Sequence, residues 1–252
     1  MTSKIDRFLS EQTLKTPYLV VDKDIVRRNY RAFRDRLPLA EIFYAVKANP
    51  APEILNLLHE EGASFDAASL PEIEMCLATG ATPDRIAYGN VIKKSADIAQ
   101  AYAHGVRLYA FDSQVELAKL AAEAPKSKVF CRISVEGAGA DWPLSRKFGC
   151  DLDMAVDLMA TAQDCGLNPH GISFHVGSQQ RNLEQWDLAI GRAALVFSDL
   201  RGRGIELKML NIGGGVPVKY RGNGVPDVAQ ATDSIMSALT RHFGNDLPAI
   251  AT

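Results

Sequence analysis

Eight short apolar runs, each leading into a turn and a helical pattern, recur along the chain and leave few folds open to it. The strand candidates are EIFYAV (41–46), ASFDAA (63–68), RIAYGN (85–90), RLYAFD (107–112), KVFCRI (128–133), GISFHV (171–176), LKMLNI (207–212) and AIAT (249–252). They are rich in β-branched and aromatic residues and lack a helical period. Between them, PEILNLLHEEG and LPEIEMCLATG each close on a glycine suited to end a helix. SQVELAKLAAEA opens on Ser113 with Glu116 three residues on, a capping pattern, and Asp153 to Cys165 and Leu183 to Arg201 supply two longer helices. Regular βα alternation at this count predicts an α/β fold, a parallel (β/α)8 TIM-like barrel, with the open doubly wound sheet as its structural rival. TPYLVVD (16–22) is one more strand candidate, a candidate for a second sheet, and it leads into a helix from about Lys23 to Arg36. The expected organisation is an N-terminal segment, 1–22, and a barrel over 23–252 that stops just after its eighth strand.

Composition narrows the class. With 252 residues, 47% apolar and 23% charged, the chain has the make-up of a soluble protein with a substantial core. A net charge of −2 gives no general attraction to nucleic acid or to anionic membrane. No apolar run approaches the roughly 18–20 residues that cross a bilayer. The opening MTSKIDRFLSEQ has no signal-peptide core. Cys76, Cys131, Cys150 and Cys165 show no CxxC spacing, so they read as reduced thiols of a cytoplasmic protein, and no metal site is expected.

In barrels of this kind the chemistry sits at the C-terminal ends of the strands and in the loops that follow. Reading those ends gives Lys47, Asp66, Asn90, Asp112, Arg132, His175 with Ser178, and Gly213-Gly214-Gly215. Lys47 either caps its strand in solvent or is an amine held partly desolvated, with its pKa lowered towards nucleophilicity; by itself the position leaves these even. The run NIGGGVP (211–217) follows a strand directly, and its glycines let backbone N–H groups surround an anion at the face where barrels bind phosphate. A histidine on a barrel strand is by default a packed one, yet His175 beside Gly177 and Ser178 can turn an imidazole to a ligand while the hydroxyl reaches a phosphate. Asp66 and Arg132 are costly to bury apart and either form a structural ion pair or share a ligand network. Together the set implies a phosphorylated ligand, an imine-forming amine and an imidazole over the ligand. Pyridoxal 5′-phosphate (PLP) meets all three requirements.

At this point the sequence resembles the fold-type III PLP-dependent amino-acid decarboxylases, the ornithine/lysine/arginine/diaminopimelate group. FYAVKANP, FDAAS, SFHVGSQ and NIGGG match that family's motifs in order, from about Thr16 to the end of the chain. The resemblance implies a barrel of the alanine-racemase type, with Lys47 as the Schiff-base lysine and His175 stacked on the pyridine ring. It further implies Ser178 and Gly213 to Gly215 as phosphate ligands, with Asp66 and Arg132 in support. LSRKFG (144–149) looks like a segment of ornithine decarboxylases, and GNVIKK (89–94) resembles their N-P-x-K motif with Val91 in place of proline. Implied with the family are loss of the substrate α-carboxylate as CO2, a diamine product for polyamine synthesis, and a cytoplasmic homodimer with shared sites. The family also implies a Glu-Pro-Gly-Arg motif and a β-domain beyond residue 252. As supplied, the chain is expected to lack those groups and to decarboxylate poorly alone. Diaminopimelate or arginine decarboxylase is one alternative; a non-catalytic PLP-binding or regulatory barrel is the other.

Overall fold

A computed structural model describes residues 3–144, 147–219 and 224–252. Its centre is a closed barrel of eight parallel strands: β1 (Ala40–Glu41 and Phe43–Ala45), β2 (Ser64–Ala67), β3 (Ile86–Tyr88), β4 (Leu108–Phe111), β5 (Lys128–Arg132), β6 (Asn168–Ser173), β7 (Met209–Asn211) and β8 (Ala249–Ala251). β1 changes partner at Ile42. Its first half pairs with β8, Ala40 opposite Ile250, and its second half with β2, Phe43 opposite Ser64. The Phe43 N–H donates to the Thr252 carbonyl at 2.7 Å and the Thr252 N–H to Glu41 at 3.1 Å, which seals the seam.

The strict two-residue alternation of a strand sorts side chains between lumen and outer layer. Phe43, Ala87, Leu108, Ala110, Phe130, Met209 and Ala251 gather inside with Val91, the small alanines leaving room for Phe130 and Met209. Their neighbours Phe65, Ile86, Tyr88, Tyr109, Val129, Ile172 and Leu210 point outward into a second, larger core under the helices. Those helices start where the sequence offers caps: Ser69, Ser113 and Asp151 accept the N–H of Glu72, Glu116 and Met154, and Asp227 forms a reciprocal box with Gln230. Each such cap contributes about 1 kcal/mol.

The eight expected strands are all present, with β6 displaced: its ladder covers 168–173 rather than 171–176. The strand expected over 16–22 is not formed among the described residues, where the only element of the N-terminal segment is the helix Ser3–Glu11. Not anticipated from the sequence were the helices Ser3–Glu11, Ser95–Ala103 and Val228–Phe243 and a two-stranded antiparallel ribbon that pairs Ala140–Trp142 with Ser178–Gln180. Among the described residues no helix is long and apolar enough to cross a membrane.

Candidate active site

The polar residues singled out from the strand ends converge on the C-terminal rim of the barrel. Alternation explains why. In β2, Asp66 is flanked by the outward Phe65 and Ala67; in β5, Arg132 has the inward parity of Phe130; beyond β6, His175 keeps the parity of Ser173.

Lys47 stands on a single 3-10 turn, Val46–Ala48, immediately after β1. The turn buries Val46 and leaves Lys47 exposed, which is the solvated of the two readings the sequence left even. The physical reason is the early end of the ladder at Ala45, after which the chain turns out towards the mouth. Asn49 then closes the turn by accepting the Ala51 N–H at 3.1 Å.

Asp66 and Arg132 do not form a direct ion pair among the described residues, which leaves the other of the two readings, a shared ligand network. The Asp66 carboxyl packs against the backbone of Gly89, where any Cβ would collide with it. Arg132 lies under the ring of Phe148, 5.1 Å from the centroid. Each still feels the other through space. Burial pushes the Asp66 carboxyl up to about 6, against the pull of the Lys47 and Arg132 cations and with the help of Glu72. Burial lowers the Arg132 guanidinium, and Asp112 and Asp66 oppose that. Of the remaining strand-end residues, Asp112 accepts the Gly149 N–H at 2.8 Å and Asn90 donates to the Ala68 carbonyl at 3.2 Å, so both anchor rim loops.

His175 is partly buried, and its Nδ1 accepts the Gly177 N–H at 2.9 Å. That bond leaves the proton of a neutral ring on Nε2. Burial, with the Arg132 and Lys47 cations, pulls its pKa down to about 4. The sign for stability follows. Unfolded, the ring takes a proton near about 6.5 while the folded ring resists it, so acidification from about 6.5 to about 4 costs stability. An NMR titration of the ring is expected to show the neutral Nε2–H form throughout the neutral range, with a midpoint near 4. A midpoint at the ordinary histidine value would contradict this geometry.

The glycine run forms a strap beside His175. Gly213 and Gly215 have φ of +64° and +110°, and a Cβ on either would strike the carbonyl of Phe174 or of Gly177. At Gly214 a Cβ would come within 3.6 Å of the His175 Nε2. The Gly213 N–H is taken by the Asn211 side chain at 2.9 Å, whereas the N–H groups of Gly214 and Gly215 donate to nothing among the described residues. Ser178 is exposed on the ribbon opposite Trp142. Sequence reasoning did not assign roles to Phe148 or Gly89, although both lie in runs already quoted. In LSRKFG, Ser145 and Arg146 fall outside the described residues.

A closed parallel barrel whose C-terminal rim carries an amine, a neutral imidazole and a glycine strap with unpaired N–H groups is the arrangement of a site for a phosphorylated carbonyl compound. Residues 23–252 match the family model described as "Pyridoxal-dependent decarboxylase, pyridoxal binding domain", and the chain belongs to that family. It is similar to the lysine/ornithine decarboxylase of Selenomonas ruminantium, 38% identical over 242 residues, covering 93% of this chain and 62% of the relative. The ornithine decarboxylase of Schizosaccharomyces pombe is 36% identical over 234 residues, 93% of this chain and 52% of the relative. Among solved structures, SrLDC in complex with PLP and cadaverine superposes with a TM-score of 0.90 at 35% identity, covering all of this chain and 63% of that one. The chain thus spans between about half and two thirds of the length of these proteins.

Proposed function

We propose that the rim holds PLP and serves the decarboxylation of a basic amino acid, ornithine first and lysine second, to a diamine that feeds polyamine synthesis. One observation carries the reading: in a chain whose matched region is a pyridoxal-binding domain, Lys47, His175 and the unpaired N–H groups of Gly214 and Gly215 share one rim. The residues fit the group. Gly213 to Gly215 provide a strap free of side chains whose N–H groups suit a phosphate, with the exposed Ser178 hydroxyl on the adjoining ribbon. Lys47 would hold the aldehyde carbon, and the neutral His175 ring would lie against the pyridine face without placing a second cation there. Asp66 and Arg132 would flank the ring from β2 and β5.

When bound, PLP supplies an electron sink for the bond that breaks at the substrate α-carbon. The chain's own residues place and tune. Lys47 would hold the carbonyl carbon through its amine; His175 keeps its proton on Nε2, so its ring face stays uncharged. Asp66, its carboxyl pushed up to about 6 by burial, would be a group able to hold a proton beside the ring. The full-length protein is proposed to act in the cytoplasm as a homodimer.

The test is CO2 release from ornithine, lysine, arginine and diaminopimelate by the protein at its full natural length, saturated with PLP. Ornithine is expected to lead, with arginine and diaminopimelate slower by about 10-fold or more in kcat/KM. Preference for either of those two would overturn the substrate assignment. PLP binding without CO2 from any of the four would favour a regulatory barrel.

A further inference from the structure

A second lysine on the same rim takes no part in the site described above. The Lys93 side chain is 0% exposed, and an ammonium so desolvated needs close partners. It donates to the Asn90 carbonyl at 2.8 Å and to the Ala110 carbonyl at 2.6 Å, and Glu116 Oε1 stands 2.9 Å away as an ion-pair contact. The Tyr88 ring centroid lies 5.5 Å from the amine. Glu116, buried as well, is met from its other oxygen by Lys119 at 2.5 Å, and Lys119 also donates to the Lys93 carbonyl.

The place of this cluster gives it meaning. The ladder between β3 and β4 ends with Tyr88 opposite Tyr109. One residue further along β4, the Ala110 carbonyl is taken by the Lys93 ammonium. The loop 89–93 is therefore stapled to the end of β4 and to the helix Gln114–Glu123 that carries Glu116 and Lys119. Its other side is stapled to the segment bearing Asp66: the Gly89 N–H donates to the Ala67 carbonyl at 2.9 Å, and Asn90 Nδ2 to the Ala68 carbonyl at 3.2 Å. Between the two staples lies Gly89, in van der Waals contact with the Asp66 carboxyl.

We propose that Lys93, held by Glu116 and Lys119, is a positioning residue for Asp66: it fixes the Gly89–Asn90 wall against which that carboxyl packs. The functional consequence rests on the reading of the rim as a PLP site; the structural half does not. Asp66 faces Lys47, Glu72 and Arg132, and it is the loop wall, by excluding water, that lets burial outweigh the two cations. Released from Lys93, the loop moves off and water reaches the carboxyl.

The test is a 13C NMR titration of the aspartate carboxyls in the ligand-free chain, with Asp66 assigned through Asp66→Asn. Wild type is compared with Lys93→Met, in which Glu116 keeps Lys119, and with Lys93→Met/Glu116→Leu, which replaces the buried pair by apolar groups and guards against misfolding of the single variant. Circular dichroism checks each fold. The midpoint of Asp66, near 6 in wild type, is expected to fall in both variants by about one unit or more towards the ordinary carboxylate value. PLP affinity, read separately, is expected to weaken by about 10-fold. An unchanged Asp66 midpoint in a folded variant overturns the proposal, whatever happens to PLP. Failure of wild type to bind PLP overturns the cofactor reading, and the titration still decides the role of Lys93.

Discussion

Borohydride reduction of the protein mixed with PLP is expected to leave a phosphopyridoxyl group on Lys47 and on no other lysine. Exposure alone does not produce that selectivity, because Lys126, Lys128 and Lys208 are exposed too. None of these shares the rim with the His175 ring and the glycine strap, so none has a phosphate subsite to hold the reagent while its amine reacts. Lys93 shares the rim but is sealed from solvent. Lys47→Met is expected to abolish the adduct and to lower turnover by about 10³-fold or more, as removal of a covalent group does. Peptide mass mapping before and after the substitution reads the outcome. Adduct spread over surface lysines in wild type would sink the assignment of Lys47.

A second large effect is expected from one added methyl group. Gly213→Ala forces a residue with a Cβ into φ of +64° and drives that Cβ into the Phe174 carbonyl and against the His175 backbone. Both partners are main chain, so neither can rotate away. Strain at the left-handed backbone and overpacking together are expected to cost about 2–4 kcal/mol. For a chain of this size that lowers Tm by roughly 5–12 °C. PLP binding should suffer beyond the loss of stability, because the same displacement moves the segment that orients the imidazole. Gly202→Ala is the control, since a Cβ there meets nothing within 4 Å and the residue ends a helix. Equal melting and equal PLP affinity in Gly213→Ala and wild type would show that the strap does not need its close approach.

Much of this was legible in the chain itself. The strands announced themselves because each is a short apolar run with its own punctuation. The rim residues followed because a barrel puts strand ends at one mouth. Less legible was anything decided by neighbours distant in sequence. Lys47 reads as desolvated when β1 is taken to run through Val46, but the ladder stops at Ala45 and the turn exposes the amine. Charge alone left Asp66 and Arg132 as either an ion pair or partners in a ligand network, and it could not show that Gly89 accommodates one and Phe148 covers the other. The run 16–22 reads from composition as a strand of a second sheet, while strand formation requires a paired neighbour and none lies beside it among the described residues. The Lys93 cluster was invisible for a different cause: a lysine in a polar loop looks solvated until three segments fold over it.

The change of partner within β1 has a consequence for how the protein comes into being. Ala40 pairs with Ile250, so the two halves of the seam are made far apart in synthesis. Contacts of such long sequence separation form late, because the intervening chain must first be ordered. On a ribosome the first half of β1 must wait for β8 to emerge, while its second half, which leads into the lysine, can pair with β2 sooner. Closure of the barrel is thus the later event, and a nascent chain halted before β8 would carry every rim residue on an open sheet.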